Sequence, residues 1–250
     1  MGIVEQFWWA WPWMGLGMAV VMLVLLFGTD LLRGMDAPHW RDPYWLAWLA
    51  MPAYLVHQFE EYPLHITDGQ YDIVSAVLAI PVFDLSQLPM AHFPVVNIAL
   101  VWVGVPLAAW LGRRMGNPVV ALAPLGFLLL NGFVHVAQAV SGMMSAAVNP
   151  GFFTGAFVFL PLVALAIVVC VRGDFMDGKG LAIALVSGAI GHILLGVAYA
   201  LCSATGPAFV LCFDVLAGLA PMLLALLFCR IFKVRIPSSG DCRFVRQKTA

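Results

Sequence analysis

His57-Gln58-Phe59-Glu60-Glu61 packs a histidine and two glutamates into a stretch that is otherwise apolar. On a helix the i, i+3, i+4 spacing turns His57, Glu60 and Glu61 to one face. A carboxylate kept away from bulk water is a suitable general base for activating a water molecule. Asn131 and His135 form a second pair at i, i+4, and His192 stands alone in a later apolar run. One chemistry for these residues is hydrolysis: Glu60 or Glu61 takes a proton from water, His135 and His192 donate to the developing oxyanion or leaving group, and Asn131 orients one of them. A metal-dependent variant uses His57, Glu61, His135 and His192 as nitrogen and oxygen ligands for a divalent ion such as Zn²⁺ or Fe²⁺.

The elements that must position these side chains follow from composition. The chain has 250 residues, of which 63% are hydrophobic and 10% charged, against about 45–50% and about 25% in soluble domains. That little charge cannot cover a water-soluble globule, so the chain is expected to be an integral membrane protein. Twelve Lys and Arg against thirteen Asp and Glu give a net charge of -1, without the basic excess that nucleic-acid binding needs. Runs without Asp, Glu, Lys or Arg cover 6–29, 43–59, 85–112, 115–171, 180–213 and 215–229. A helical crossing takes about 20 apolar residues, so 115–171 is two helices, broken at Asn149-Pro150-Gly151. The expectation is an all-α polytopic transmembrane bundle of seven helices, near 11–32, 43–61, 94–112, 118–143, 153–172, 180–202 and 208–232. Ile73–Phe83 is too short to span and reads as interfacial or re-entrant.

Charge placement tests this map. Arg33, Arg41, Arg113, Arg114, Arg172 and Lys179 lie in alternate connections, and the other six basic residues lie at or beyond the last helix end. Seven crossings therefore put all twelve on one side, which the positive-inside rule makes cytoplasmic, with the N-terminus out and the C-terminus in. The reading is one integral domain over 1–250, in the inner membrane of the cell, with 233–250 a flexible basic cytoplasmic tail. Residues 1–32 lack the basic start of a signal peptide. Trp8, Trp9, Trp11 and Trp13 read as an aromatic anchor at the outer interface. Cys202 and Cys212 flank an outer turn.

Ionisable groups inside a bilayer cost about 2.5–3.5 kcal/mol each on insertion scales and mark functional sites. At about 1.5 Å per residue, His57 lies about 21 Å along its helix, His135 about 25 Å and His192 about 18 Å, all from the basic side, with Asp214 about 10 Å below the other edge. That agreement in depth points to one shared polar site in the outer half of the membrane. The bland alternative has each histidine bonding a carbonyl or a neighbouring helix. His39 reads as solvated, His65 as a neighbour able to support Glu61, and Asn149 as a turn residue. The chain has no H-E-x-x-H, no Walker or dinucleotide fingerprint, no G-x-S-x-G and no lysine in helix seven for a retinal Schiff base.

His57-Gln58-Phe59-Glu60-Glu61, followed by Asn131-Gly132-Phe133-Val134-His135, Pro150-Gly151-Phe152-Phe153-Thr154 and then His192, resembles the HXXEE domain family of multi-pass membrane proteins over about 55–200. The resemblance implies a membrane protein without an established activity. The order Glu-Glu, His, His is also similar, more remotely, to the CAAX-protease and bacteriocin-processing glutamate proteases of membranes. His65 stands where those have Arg, Asn131 where they have Phe, and Gly196 where they have Asn or Asp.

These readings converge on a membrane-embedded hydrolase acting on a small molecule, lipid or peptide in contact with the bilayer. The alternative class is a transporter, proton or cation pathway, or binding protein. No internal repeat of the transporter kind is present.

Overall fold

A computed structural model describes residues 2–80, 82–145 and 149–234. Among these, the long helices are α1 (Ile3–Gly28), α2 (Pro43–Glu61), α4 (His92–Met115), α5 (Pro118–Val140), α6 (Phe152–Gly173), α7 (Gly178–Thr205) and α8 (Pro207–Ile231). The short helix α3 (Asp72–Leu78) follows a two-stranded hairpin, β1 (Ile66–Thr67) and β2 (Gln70–Tyr71). The protein is an all-α multi-pass membrane bundle with its long helices where the apolar runs fall. Six of them are long and apolar enough to cross a bilayer; α2 is not among the six.

The difference has a physical cause. Helix α2 is buried on nearly every face, whereas α1 buries only Trp11, Pro12, Gly15, Ala19 and Leu26. A helix surrounded by other helices can carry tyrosines, histidines and glutamates that lipid would reject, and those residues lower its hydropathy. Its 19 residues still reach about 28 Å, the thickness of a hydrocarbon core, packed along α1. Asp42 caps its start, accepting from Tyr44 N at 2.9 Å and from Gly34 N and Met35 N in the preceding loop. Burial nonetheless pushes the Asp42 carboxyl above its ordinary range. Trp45 Nε1 donates to Leu26 O at 2.9 Å, locking the α1–α2 hairpin.

Close packing of the other helices depends on small residues. A Cβ on Gly188 of α7 would come within 2.6 Å of Gly126 in α5, and one on Gly218 of α8 within 2.6 Å of Leu100 N in α4. Helices α4 and α6 each contain a π segment, Ile98–Gly104 and Gly155–Phe159. Each lies just before a proline, Pro106 or Pro161, whose ring crowds the carbonyl four residues back and has no N–H to offer it.

At one end of the bundle Arg113 donates to Leu31 O at 2.6 Å, and Lys179 donates to Phe232 O. The basic connections thus meet there, as the charge pattern required; Arg235 and the basic residues after it lie outside the described residues. His39 is not simply solvated: it pairs with Asp30 at 3.1 Å and stacks on Trp45. Asp30, beside the Arg33 guanidinium, is held below the usual carboxylate range.

The other end is closed by the β hairpin, turning at Asp68-Gly69 with both residues at positive φ, as a two-residue I′ turn demands. Tyr62, Tyr71, Val74 and Phe93 pack there with Trp11. The N-terminal tryptophans therefore do not form a uniform lipid-facing belt. Trp11 is buried against Tyr62, Trp8 and Trp9 lie on Tyr71, and Trp13 alone of the four is well exposed. Ile73–Phe83 does not cross; its described part is α3 and the irregular chain after it. Cys202 and Cys212 are free thiols, the first buried and the second exposed.

Candidate functional site

The last turn of α2, the last third of α5 and the first turn of α6 meet toward the hairpin end of the bundle. Gly151, at φ 90°, starts α6, and its approach to the site requires that no side chain be present. A Cβ there would lie 2.6 Å from His57 Cε1 and 2.8 Å from His135 Cε1. The N-terminal end of α6 thus rests directly on two imidazoles.

Glu60 holds it in place. Its Oε1 accepts from Phe153 N at 2.9 Å, and its Oε2 accepts from Thr154 N at 2.7 Å and Thr154 Oγ1 at 2.5 Å. It acts as an N-cap from another helix, satisfying amides that a helix start leaves open and complementing its dipole. Both oxygens are committed, so Glu60 serves as a clamp where the sequence suggested a possible base. Its neighbour Glu61 faces the imidazoles instead: Oε1 is 3.2 Å from His57 Nε2 and 3.4 Å from His135 Nε2. All three residues are buried.

The outer hydrogen bonds decide which nitrogen of each ring carries hydrogen. Thr154 Oγ1 has one proton and donates it to Glu60, so its 2.6 Å contact with His57 Nδ1 must be donated by the ring. Asn149 Nδ2 donates to His135 O at 2.9 Å, which fixes the amide so that Oδ1 faces His135 Nδ1 at 3.0 Å and accepts from it. In the neutral rings both Nδ1 atoms therefore bear hydrogen and both Nε2 atoms are lone pairs. Those lone pairs face a carboxylate oxygen, so three electron-rich atoms converge. His57 Nε2 is buried without a hydrogen-bond partner.

With both rings neutral, these three atoms form a donor set for a cation. The three ligand atoms lie within 4.8 Å of one another. A tetrahedral ion about 2.0–2.2 Å from its ligands spaces them about 3.3–3.6 Å apart, close to the 3.2 and 3.4 Å separations observed. Imidazoles oriented through Nδ1 by an oxygen acceptor are the usual support of a metal site. The donor set fits a divalent metal.

Not every expected residue joins. His192, a predicted fourth ligand and proton donor, lies outside the converging group. It packs on Phe127, which contacts Tyr54, which in turn contacts His57, and it contributes no atom to the converging set. Asn131, expected to orient a histidine, has a buried Oδ1 without a partner; Asn149 orients His135 instead. His65 joins the hairpin through its carbonyl, which accepts from Asp72 N. Asp214, placed by depth in the same polar site, pairs with His92 Nδ1 at 2.8 Å, while His92 Nε2 meets Tyr199 OH at 2.9 Å. The polar layer is thus two clusters. Asn149, Thr154 and His92 are the participants that sequence reasoning passed over. The visible signal for the first two was their place in Asn-Pro-Gly-Phe-Phe-Thr, directly at a helix start.

Fold and site together define a multi-pass membrane protein with a buried histidine–glutamate cluster. Residues 48–166, which hold every member of that cluster, match the family described as protein of unknown function with HXXEE motif. This segment carries the HXXEE domain, and the motif that names it is His57-Gln58-Phe59-Glu60-Glu61. No curated protein and no solved structure matches the chain.

Proposed function

We propose that His57, Glu61 and His135 hold a divalent cation of the Zn²⁺ or Fe²⁺ type and that the chain is a membrane-embedded hydrolase. The observation that carries this is the convergence of two Nε2 lone pairs on one Glu61 oxygen, each ring oriented through Nδ1 by Thr154 or Asn149. Two histidines and a glutamate are three protein ligands, the number that leaves a coordination position open for a reactant. When bound there, such an ion supplies Lewis acidity toward a water or a substrate oxygen.

The chain's own contributions are orientation and exclusion of water. Glu60 fixes the start of α6, Thr154 and Asn149 hold the rings, and Gly151, lacking a side chain, lets the helix start approach them. Asn131, one turn before His135, keeps an acceptor oxygen unused by the protein, which suits a donor on a bound substrate. The reaction adds the elements of water across one substrate bond, which breaks. We place the basic end of the bundle in the cytoplasm and the site toward the other face of the inner membrane, on the strength of the Lys and Arg distribution.

Elemental analysis of the purified full chain tests the metal. The expected result is one equivalent in the wild type and none in His135→Ala or Glu61→Ala; equal content in all three overturns the reading. Hydrolysis is tested by incubating the metal-loaded protein with membrane extract in ¹⁸O-labelled water. A product that gains label with the wild type and not with Glu61→Ala is expected. Absence of any labelled product, with ion flux in proteoliposomes instead, would make it a transporter. Reporter fusions after Gly151 should be active outside the cytoplasm and those after Ala250 inside it; the reverse overturns the orientation.

A further inference from the structure

An open-sided cleft of about 370 Å³ lies between α2 and α6, with α1 along one edge. Its floor is formed by Pro52, Ala53 and Leu162, all buried. The rim residues Phe157, Leu165 and Leu23 are 68%, 39% and 37% exposed. Both α1 and α6 are membrane-crossing helices, so the opening faces sideways into hydrocarbon. Every residue lining the cleft is apolar.

Two features tie this cleft to the histidines. Along α2 it runs from Leu49 to Val56, the residue before His57. Along α6 it begins at Phe157 and Val158, next to Phe159, whose ring lies 4.5 Å from the His57 ring. From that end it extends about 10 Å, seven residues of α2, toward the basic end of the bundle. A lipid whose head reaches the cluster would lay its tail in this direction.

Chemistry selects the occupant. A peptide in the cleft would bring amide groups against walls with no donor or acceptor, at several kcal/mol for each group left unsatisfied. A hydrocarbon chain brings none. We propose that the substrate of the His57–Glu61–His135 site is an amphiphile with a long hydrocarbon chain, a lipid, and that its chain occupies the cleft between α2 and α6. This inference rests on the metal-site reading above.

The test uses the full chain loaded with Co²⁺, whose absorption spectrum reports ligand exchange, and hydroxamates as probes: acetohydroxamate, hexadecanohydroxamate and a dipeptide hydroxamate. Two variants fill the cleft, Ala53→Phe from its floor and Leu165→Trp from its exposed rim. All are compared in the same micelles, so partitioning of the long chain into detergent cancels. Both variants are expected to bind Co²⁺ and acetohydroxamate as the wild type does. They should bind hexadecanohydroxamate about tenfold more weakly, a factor equal to about 1.4 kcal/mol. Equal long-chain affinity in wild type and variants overturns the lipid assignment while leaving the metal reading intact. Weakened binding of the dipeptide probe alone assigns the cleft to peptides and overturns it as well. A wild type that binds no Co²⁺ overturns the metal reading and this inference with it.

Discussion

The two buried polar clusters use similar residue types and differ in where their lone pairs point. In the His92–Asp214–Tyr199 cluster the imidazole is used from both sides: Nδ1 meets Asp214 at 2.8 Å and Nε2 meets Tyr199 OH at 2.9 Å. The ring bridges α4, α7 and α8, and neither nitrogen is left for a ligand. In the His57–Glu61–His135 cluster only the outer nitrogens are used, by Thr154 and Asn149, and both inner nitrogens face one carboxylate oxygen. An imidazole bonded through both nitrogens ties helices together, although Asp214 Oδ2 stays without a partner, whereas two inward lone pairs form a donor set. Composition does not separate these cases; the partner on the far side of each ring does.

Removing a member of the inward cluster should have the largest effect. His135→Ala and Glu61→Ala are expected to abolish metal binding, while Asp214→Asn keeps the full equivalent; metal lost from Asp214→Asn would merge the clusters into one site. Next comes His92→Ala, which leaves Asp214 as an unpaired buried carboxylate. Breaking a buried pair in this way costs about 3–5 kcal/mol, expected as a lower thermal midpoint in detergent with metal content unchanged. An unaltered midpoint would remove the structural role given to this cluster.

How far the sequence carried this picture depends on whether a residue acts through its side chain or through the backbone around it. His57, Glu61 and His135 stood out because polar groups are scarce in apolar helices and helical spacing assigns them a face. Glu60 was equally conspicuous, but its role as a clamp depends on the amides of Phe153 and Thr154, which no side-chain pattern reveals. Asn149 read only as a turn residue and Thr154 only as the end of the Pro150–Thr154 string, since their function arises from the close approach of Gly151. His92 and Asp214 are 122 residues apart, so depth along single helices placed Asp214 in the right layer and with the wrong partner. Helix α2 was legible as a helix because its ends are marked by Asp42-Pro43 and by the two glutamates. Its central position was not, since burial on all sides follows from packing. The Asp68-Gly69 turn was available as a hairpin signal, and Pro106 and Pro161 gave no warning of π segments.

Effects of intermediate size should come from the supports of the inward cluster. Asn149→Ala and Thr154→Val each remove the acceptor that orients one imidazole, and loss of such a partner lowers metal affinity about 10–100-fold. Competition with a chelator of known affinity measures this. Thr154→Ser keeps the hydroxyl and should restore wild-type binding; if it does not, the threonine matters for packing and the tautomer argument for His57 fails.

The smallest effect is expected outside both clusters, where Tyr71 reaches the carbonyls of Trp8 and Trp9 at 3.5 and 3.4 Å. Hydrogen bonds this long belong at the weak end of about 0.5–1.5 kcal/mol, so Tyr71→Phe should lower stability slightly at neutral pH and leave metal content unchanged. Burial pushes the Tyr71 phenol up to about 12 from its ordinary value of 10.0. The neutral phenol is therefore favoured more in the folded than in the unfolded chain. Its contribution is complete below pH 10 and disappears as pH rises through about 12. The difference in thermal midpoint between wild type and Tyr71→Phe should accordingly be constant up to pH 10 and shift against the wild type above it. A difference that instead changes between pH 5 and 8 would mean that the hairpin senses the buried histidines, and the separation between cap and cluster would no longer hold.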